Sequence, residues 1–259
     1  MIAVGVLGAG GKMGSEVCRS IASDAELRLV AAVDPDLAGE LATDQPDVVI
    51  AAEPDALVAA GATVAVDFTH PDAVMGNIAW LLDHGIHAVV GTTGLSADDL
   101  DEVRALAEKT DANVFVAPNF AIGAVLMMRF ATQAARYLPH AEIIELHHDN
   151  KADAPSGTAI ATAMQMAAAR TDDPALRRDS VESVRGARGG AVERIPIHSV
   201  RLPGLVAHQE VLFGGQGQTL SIRHDSIDRT SFMPGVLMAI KAVAQRPGLT
   251  VGLDALLDP

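Results

Sequence analysis

Ala3-Val4-Gly5-Val6-Leu7-Gly8-Ala9-Gly10-Gly11-Lys12-Met13-Gly14 is the stretch on which the fold turns. Residues 3–7 read as a buried strand, the glycines as a tight loop, and 11–23 as a helix. Glycines between a strand and a helix let the backbone approach a pyrophosphate, whose charge then sits on the helix N-terminus. The strict G-x-G-x-x-G spacing is not met, because Met13 stands where the third glycine falls and Gly14 follows one later. A second strand, 27–33, runs into Asp34, where a carboxylate would hold an adenosine ribose hydroxyl. These features predict nucleotide binding by Gly8, Ala9, Gly10, Gly11, Lys12, Met13 and Asp34; a purely structural glycine turn is the alternative. Lys12 reads either as a solvated helix lysine or as a contact to a ribose 2′-phosphate.

The same alternation continues. Strands are expected at 48–50 (weak), 63–68, 87–91 and 113–117, with helices at 71–84 and at 96–109, the latter capped by Ser96. Continuous apolar strands alternating with helices mean a parallel sheet covered on both faces, a doubly wound Rossmann-type α/β domain. Gly91-Thr92-Thr93-Gly94 and Ala117-Pro118-Asn119-Phe120 both end parallel strands, the side on which such sheets bind ligands. Gly91, Thr92, Thr93, Ala117, Pro118, Asn119 and Phe120 are therefore expected near the nicotinamide half of a cofactor, although each such loop, taken alone, is more often just a turn. Asp67-Phe68-Thr69-His70-Pro71 ends another strand and fits a helix N-cap as well as a ligand contact.

The pattern changes after Pro118. An apolar helix (121–137), a strand (142–147) and a helix (156–170) precede a polar, Arg- and Gly-rich stretch, 171–194, expected to be a long surface excursion. Strands follow at 195–201, 207–213 and 219–224, the last two flanking Gly214-Gly215-Gln216-Gly217 as a hairpin. This is a second α+β domain with a mixed or antiparallel sheet. A last helix (233–245) and the tail 249–257 resemble the first half again. The expected division is 1–118 plus 229–259 for dinucleotide binding, and 119–228 for substrate binding and oligomerisation.

Composition removes other classes. The 259 residues are 49% hydrophobic and 20% charged, enough for a proper core. A net charge of −14 repels phosphate backbones and anionic lipid, so neither a nucleic acid nor a membrane is an expected partner. Cys18 is the single cysteine, which excludes an intrachain disulfide and a Cys-rich zinc site and fits a reducing cytoplasm. No signal peptide and no apolar run of roughly 18 residues is read.

The chemistry concentrates in Glu145-Leu146-His147-His148-Asp149-Asn150-Lys151-Ala152-Asp153-Ala154-Pro155-Ser156-Gly157-Thr158-Ala159. Two histidines close a strand, a lysine follows in a loop, and Pro155-Ser156-Gly157-Thr158 opens a helix whose free N–H groups suit an anion. Histidine suits proton transfer near neutral pH, and a nearby lysine gives a second donor. A metal site at His147-His148-Asp149 is disfavoured, since adjacent strand histidines rarely chelate one ion; a solvated polar strand end is the bland alternative. His70, His84, His87, His140 and His198 lack a comparable cluster.

Together with the loop at Gly8–Gly14, Asp67-Phe68-Thr69, Gly91–Gly94 and Ala117–Phe120, this segment resembles the 4-hydroxy-tetrahydrodipicolinate reductase (dihydrodipicolinate reductase) family of lysine and diaminopimelate biosynthesis. The resemblance covers nearly the whole chain. It implies His147 as proton donor, Lys151 as second acid, His148 as substrate ligand, and Gly157 and Thr158 as holders of one carboxylate. It further implies NADH and NADPH as cofactors, a small dicarboxylate substrate, no metal, and a homotetramer assembled through the second sheet. Pro35, where NADPH-favouring relatives often place Arg, points to NADH being used at least as well. The competing functions are another NAD(P)-dependent dehydrogenase, of an amino-acid semialdehyde, and a non-catalytic dinucleotide sensor.

Overall fold

The computed structural model describes residues 1–43, 48–171 and 181–257. The chain divides into two compact units, Met1–Phe120 with Phe232–Pro259, and Ala121–Ser231.

In the first unit, β1 (Ile2–Leu7), α1 (Lys12–Ser23), β2 (Leu27–Val33), β3 (Ile50–Ala51), α2 (Asp55–Ala59), β4 (Val64–Asp67), α3 (Pro71–Asp83), β5 (His87–Val90), α4 (Ala97–Ala107) and β6 (Val114–Val116) follow one another along the chain. With β12 (Leu249–Val251) from the end of the chain, the strands form a parallel sheet in the order β12-β6-β5-β4-β1-β2-β3. Every residue of β4 and β6 is buried, which is why, apart from Asp67 at the end of β4, these strands read as apolar runs rather than alternations. Successive strands run outward from β1 to one side and from β4 to the other, so the order reverses between them. Leu7–Gly8 and Asp67–Phe68 therefore sit where such sheets bind ligands. α4 starts on a capping box: Ser96 accepts from Asp99 N, and the Asp99 carboxylate takes the Ser96 N–H.

Three expectations change here. The weak third strand lies at Ile50–Ala51 rather than 48–50, because Val49 instead bridges to Leu41. The short α2, five residues of Asp, Ala, Leu and Val, carried no visible signal. The last helix stops at Ala242 and tightens into a single 3-10 turn, Val243–Gln245.

The second unit comprises α5 (Ile122–Ala135), β7 (His140–His147), α6 (Gly157–Ala169), β8 (Gly190–Val192), β9 (Ile195–Arg201), β10 (Ala207–Gly215) and β11 (Gln218–Ser226). Its sheet, β11-β10-β7-β9-β8, is mixed: β7 and β9 are parallel and the other neighbours antiparallel. α5 and α6 cover one face, where Ala131, Ala163 and Met166 meet Ile143, Ile197, Val211 and Phe213. The opposite face carries Ile144, Leu146, Val200 and Leu212, each half-buried within the unit. The chain then enters α7 (Met233–Ala242) and β12 (Leu249–Val251), the latter pairing with β6 in the first sheet.

The expected excursion over 171–194 needs correcting at its end. Residues 181–189 are exposed, but Gly190–Val192 is a strand paired with β9 across a turn at Glu193 and Arg194, both at positive φ (47° and 62°). Glu-Arg is an unusual pair for that conformation, which Asn and Gly normally supply, so the turn left no sequence signature. Residues 172–180 of that stretch lie outside the described residues. Among the described residues no helix is long and apolar enough to cross a membrane.

Candidate active site

Sterics explain the glycine loop of the first unit. Gly8 has φ +75°, and a Cβ there would lie 2.5 Å from the Phe68 carbonyl oxygen. A Cβ at Gly10 would meet Leu37 at 2.4 Å, and one at Gly14 would fall 2.0 Å from the Gly8 oxygen. The third tight position is therefore Gly14, where α1 crosses the loop, and not residue 13. Asp34, at the end of β2, accepts from Gly10 N through Oδ2 (3.0 Å) and from Asp36 N through Oδ1 (3.1 Å). Its carboxylate braces the loop as well as standing beside it. Gly11 caps α1 without a side-chain hydrogen bond, the first turn contains no acidic residue, and Lys12 is exposed. Backbone N–H groups, a bare helix N-terminus and space that only glycine leaves are what a dinucleotide pyrophosphate needs, so these residues fit that cofactor.

The neighbouring strand ends are organised by Asp67. Its carboxylate is fully buried and takes hydrogen bonds from Thr69 N (2.9 Å), Thr69 Oγ1 (2.7 Å), Thr92 Oγ1 (2.7 Å) and Asn77 Nδ2 (2.8 Å). The Thr92 hydroxyl is thus spent on structure, while Thr93 is exposed. Gly91 is required because a Cβ would meet the Phe68 ring at 2.2 Å. His70, not Asp67, caps α3 by accepting from Asp72 N. At the end of β6, Ala117 is buried, Pro118 exposed and Asn119 half-buried. Phe120 points into the core, its ring 6.0 Å from Phe68 and 6.4 Å from Phe115 between centroids.

In the second unit the reactive side chains converge on the end of β7. Glu145 and His147, two residues apart, share one strand face. Glu145 is fully buried; its Oε2 accepts from His147 Nδ1, and Arg201 of β9 grips both oxygens (Nη2–Oε1 2.8 Å, Nη1–Oε2 2.9 Å). Burial pushes the Glu145 carboxyl up, but the donors from Arg201, Ser199 and His147 outweigh it and hold it below its ordinary value. Burial likewise pushes His147 below the ordinary 6.5, with Lys151 and Arg201 acting in the same direction and Glu145 opposing them. Lys151 Nζ lies 2.7 and 2.9 Å from the two Asp153 oxygens, and Lys151 N donates to the His148 carbonyl at 3.2 Å. Ser156 caps α6 by accepting from Ala159 N (3.2 Å), while Gly157 is exposed, with nothing within 4 Å of where a Cβ would stand. Thr158 is half-buried, as is His148. An acid, two cationic side chains and an open helix N-terminus in one unit suit a carboxylate-bearing substrate that must be protonated.

Two family descriptions account for nearly all of the chain: "Dihydrodipicolinate reductase, N-terminus" matches residues 2–120 and "Dihydrodipicolinate reductase, C-terminus" matches residues 123–257. The chain belongs to the dihydrodipicolinate reductase family. It is 56% identical over 260 residues to the 4-hydroxy-tetrahydrodipicolinate reductase of Nocardia farcinica, covering 99% of both chains. To the enzyme of that name from Mycobacterium marinum it is 54% identical over 257 residues, covering 98% of each. Among solved structures it resembles the dipicolinate-bound dihydrodipicolinate reductase from Paenisporosarcina sp. TG-14, with TM-score 0.87, 43% identity, and 98% and 99% of the two chains covered. An amine dehydrogenase from Mycobacterium smegmatis shares the fold alone, at TM-score 0.67 and 15% identity, with 98% and 95% covered.

The sequence reading gave no role to three side chains that the structure brings together around this segment. Glu145 stood inside the quoted motif, and its i, i+2 spacing to His147 was the available signal. Asp153 stood there too, two residues from the lysine it pairs with. Arg201 had no signal, because its place opposite His147 comes from the register of β7 against β9.

Proposed function

We propose that the protein reduces 4-hydroxy-tetrahydrodipicolinate to tetrahydrodipicolinate with NADH or NADPH, in lysine and diaminopimelate biosynthesis. The observation that carries this reading is His147, oriented by Glu145, in the same unit as Lys151 and the open N-terminus of α6. Gly8, Ala9, Gly10, Gly11, Lys12, Met13 and Asp34 would hold the pyrophosphate and adenosine ribose, with Gly91, Thr92, Thr93, Ala117, Pro118, Asn119 and Phe120 towards the nicotinamide end. When bound there, the nicotinamide supplies a hydride.

The chain's own residues do the rest. His147 gives Nδ1–H to an ionised carboxylate, so Nε2 is the nitrogen that carries the transferable proton. Lys151 is the second acid and His148 a substrate ligand. Gly157 N–H and the Thr158 hydroxyl take one substrate carboxylate at the start of α6. That carboxylate would also compete with Asp153 for Lys151, and its charge raises His147 again towards the protonated form that donation requires. Once water is lost from the substrate, the ring imine gains a hydride on carbon and a proton.

The sheet face opposite α5 and α6 sets the half-buried Ile144, Leu146, Val200 and Leu212 among the charged Glu142, Glu210, Arg223 and Asp225, and such a mixed face supports assembly as a homotetramer, since its apolar side chains gain when another surface packs on them. The net charge of −14, the single cysteine and the biosynthetic reaction support a cytoplasmic protein.

The test is NADH oxidation coupled to the synthase that makes the unstable substrate. Wild-type protein should turn over. His147→Gln should lower kcat by roughly 10²–10⁴-fold, the usual worth of general acid catalysis, with NADH affinity unchanged. Thr158→Val should act mainly on KM. No oxidation in the coupled assay overturns the reading.

A further inference from the structure

We propose that Glu145 and Arg201 are a positioning pair that fixes both the orientation of the acid His147 and the place of the carboxylate-binding end of α6. This rests on the reading of His147 as proton donor.

The geometry argues for a shared device. Glu145 sits on the core face of β7 with no exposure to solvent, where a lone carboxylate would be expensive. Its two oxygens are divided between two tasks. Oε2 takes the His147 Nδ1 proton, which fixes the imidazole tautomer and leaves Nε2 for the substrate. Oε1 takes the Ser156 backbone N–H at 3.3 Å, tying the carboxylate to the residue that caps α6 and immediately precedes Gly157 and Thr158. Arg201 forks onto both oxygens, which keeps the carboxylate ionised and its plane fixed. The same guanidinium donates to the Asp153 carbonyl at 2.6 Å and to the Val200 carbonyl at 2.8 Å. The loop carrying Lys151 and Asp153 is thereby pinned to the end of β9. A salt bridge serving only stability would not need to touch the acid, the lysine loop and the anion-binding helix at once.

The groups facing His147 are few. Glu145 comes from its own strand, Lys151 from the following loop with Asp153 on its ammonium, and Arg201 from β9. From β10 the residue opposite is the uncharged Ala207. Glu145 is therefore the anion in hydrogen-bond contact with the imidazole. Replacing it by an amide removes the charge that favours the protonated ring and frees the tautomer.

The experiment uses the full chain. Glu145→Gln should bind NADH as the wild type does, lose at least tenfold in kcat, and move the alkaline fall of kcat/KM to lower pH by about half a unit or more. Thr158→Val, which only weakens a carboxylate contact, should leave that limb in place. Arg201→Lys keeps the charge but not the fork, and should lower kcat and raise KM together. Nitrogen-15 spectra of histidine-labelled wild-type protein, with His147 assigned by its loss in His147→Gln, read the tautomer in the wild-type site, so the result does not depend on Glu145→Gln or Arg201→Lys folding. At about pH 7 the His147 ring should carry its proton on Nδ1. A ring protonated on Nε2, or a Glu145→Gln protein with wild-type kcat and pH profile, overturns the pair. If His147→Gln itself keeps full activity, the assignment of His147 fails instead, and the two failures are distinguishable.

Discussion

Gly14→Ala should damage the first unit through one added methyl group. The Cβ would stand 2.0 Å from the Gly8 oxygen and 2.7 Å from the Gly8 carbonyl carbon, both backbone atoms of the cofactor loop. Relief requires α1 to retreat from the loop by about 1 Å, enough to forfeit a quarter to a half of the dispersion energy at each contact it loosens. The helix residues on that side, Val17, Cys18 and Ile21, are each 0% exposed, so the loss falls on a packed core. Overpacking of this kind costs about 1–3 kcal/mol, or a fall in Tm of roughly 3–10 °C for a unit of this size. The helix N-terminus also withdraws from the pyrophosphate, and NADH should bind at least tenfold more weakly, about 1.4 kcal/mol. The control is Gly76→Ala in α3, where nothing lies within 4 Å of the added atom and φ is not positive. There the same change should stabilise by about 0.5–1 kcal/mol. Thermal melts and calorimetric NADH titrations of both variants decide the matter. A Gly14→Ala protein that melts with the wild type and binds NADH within about threefold of it would refute the steric argument.

NADH should bind no more weakly than NADPH, because in the proposed ribose site Asp34 would repel a 2′-phosphate and Pro35 offers no cation; calorimetry showing NADPH tighter by more than tenfold, about 1.4 kcal/mol, refutes this. Stability should fall on mild acidification: His87, His147 and His224 are all held below 6.5 by burial, so their contribution is present above 6.5 and is lost as pH drops through the lowered folded values. His87 also accepts from Asn113 N at 2.9 Å through Nδ1, a bond that a protonated ring cannot make. Thermal melts stepped downward from about pH 7 should show this fall well above the carboxylate range, and a flat profile there would count against it. Light scattering at micromolar concentration should give a tetramer, whereas a stable single chain would leave the sheet face of Ile144, Leu146, Val200 and Leu212 without its expected cover.

The sequence by itself determined the alternation of strands and helices, and with it the parallel sheet, because strands buried on both faces must be continuous apolar runs. It located Ser96 as a cap, the hairpin at Gly214–Gly217, and the His147–Lys151–Thr158 segment, all of them local patterns written in adjacent residues. Short elements escaped it: α2, β8 and the shifted β3 carry two to five residues each, too few for a period to show. The fine structure of both sites came only from tertiary contacts. Gly14 rather than residue 13 is the tight position because of where α1 crosses Gly8, and Asp67 became a buried hub only once Thr92 and Asn77 were folded against it. Arg201 lies 54 residues after His147 in the chain, and nothing local marks it. Parallel pairing of β7 with β9 brings its guanidinium to Glu145, and burial then shields that ion pair from water.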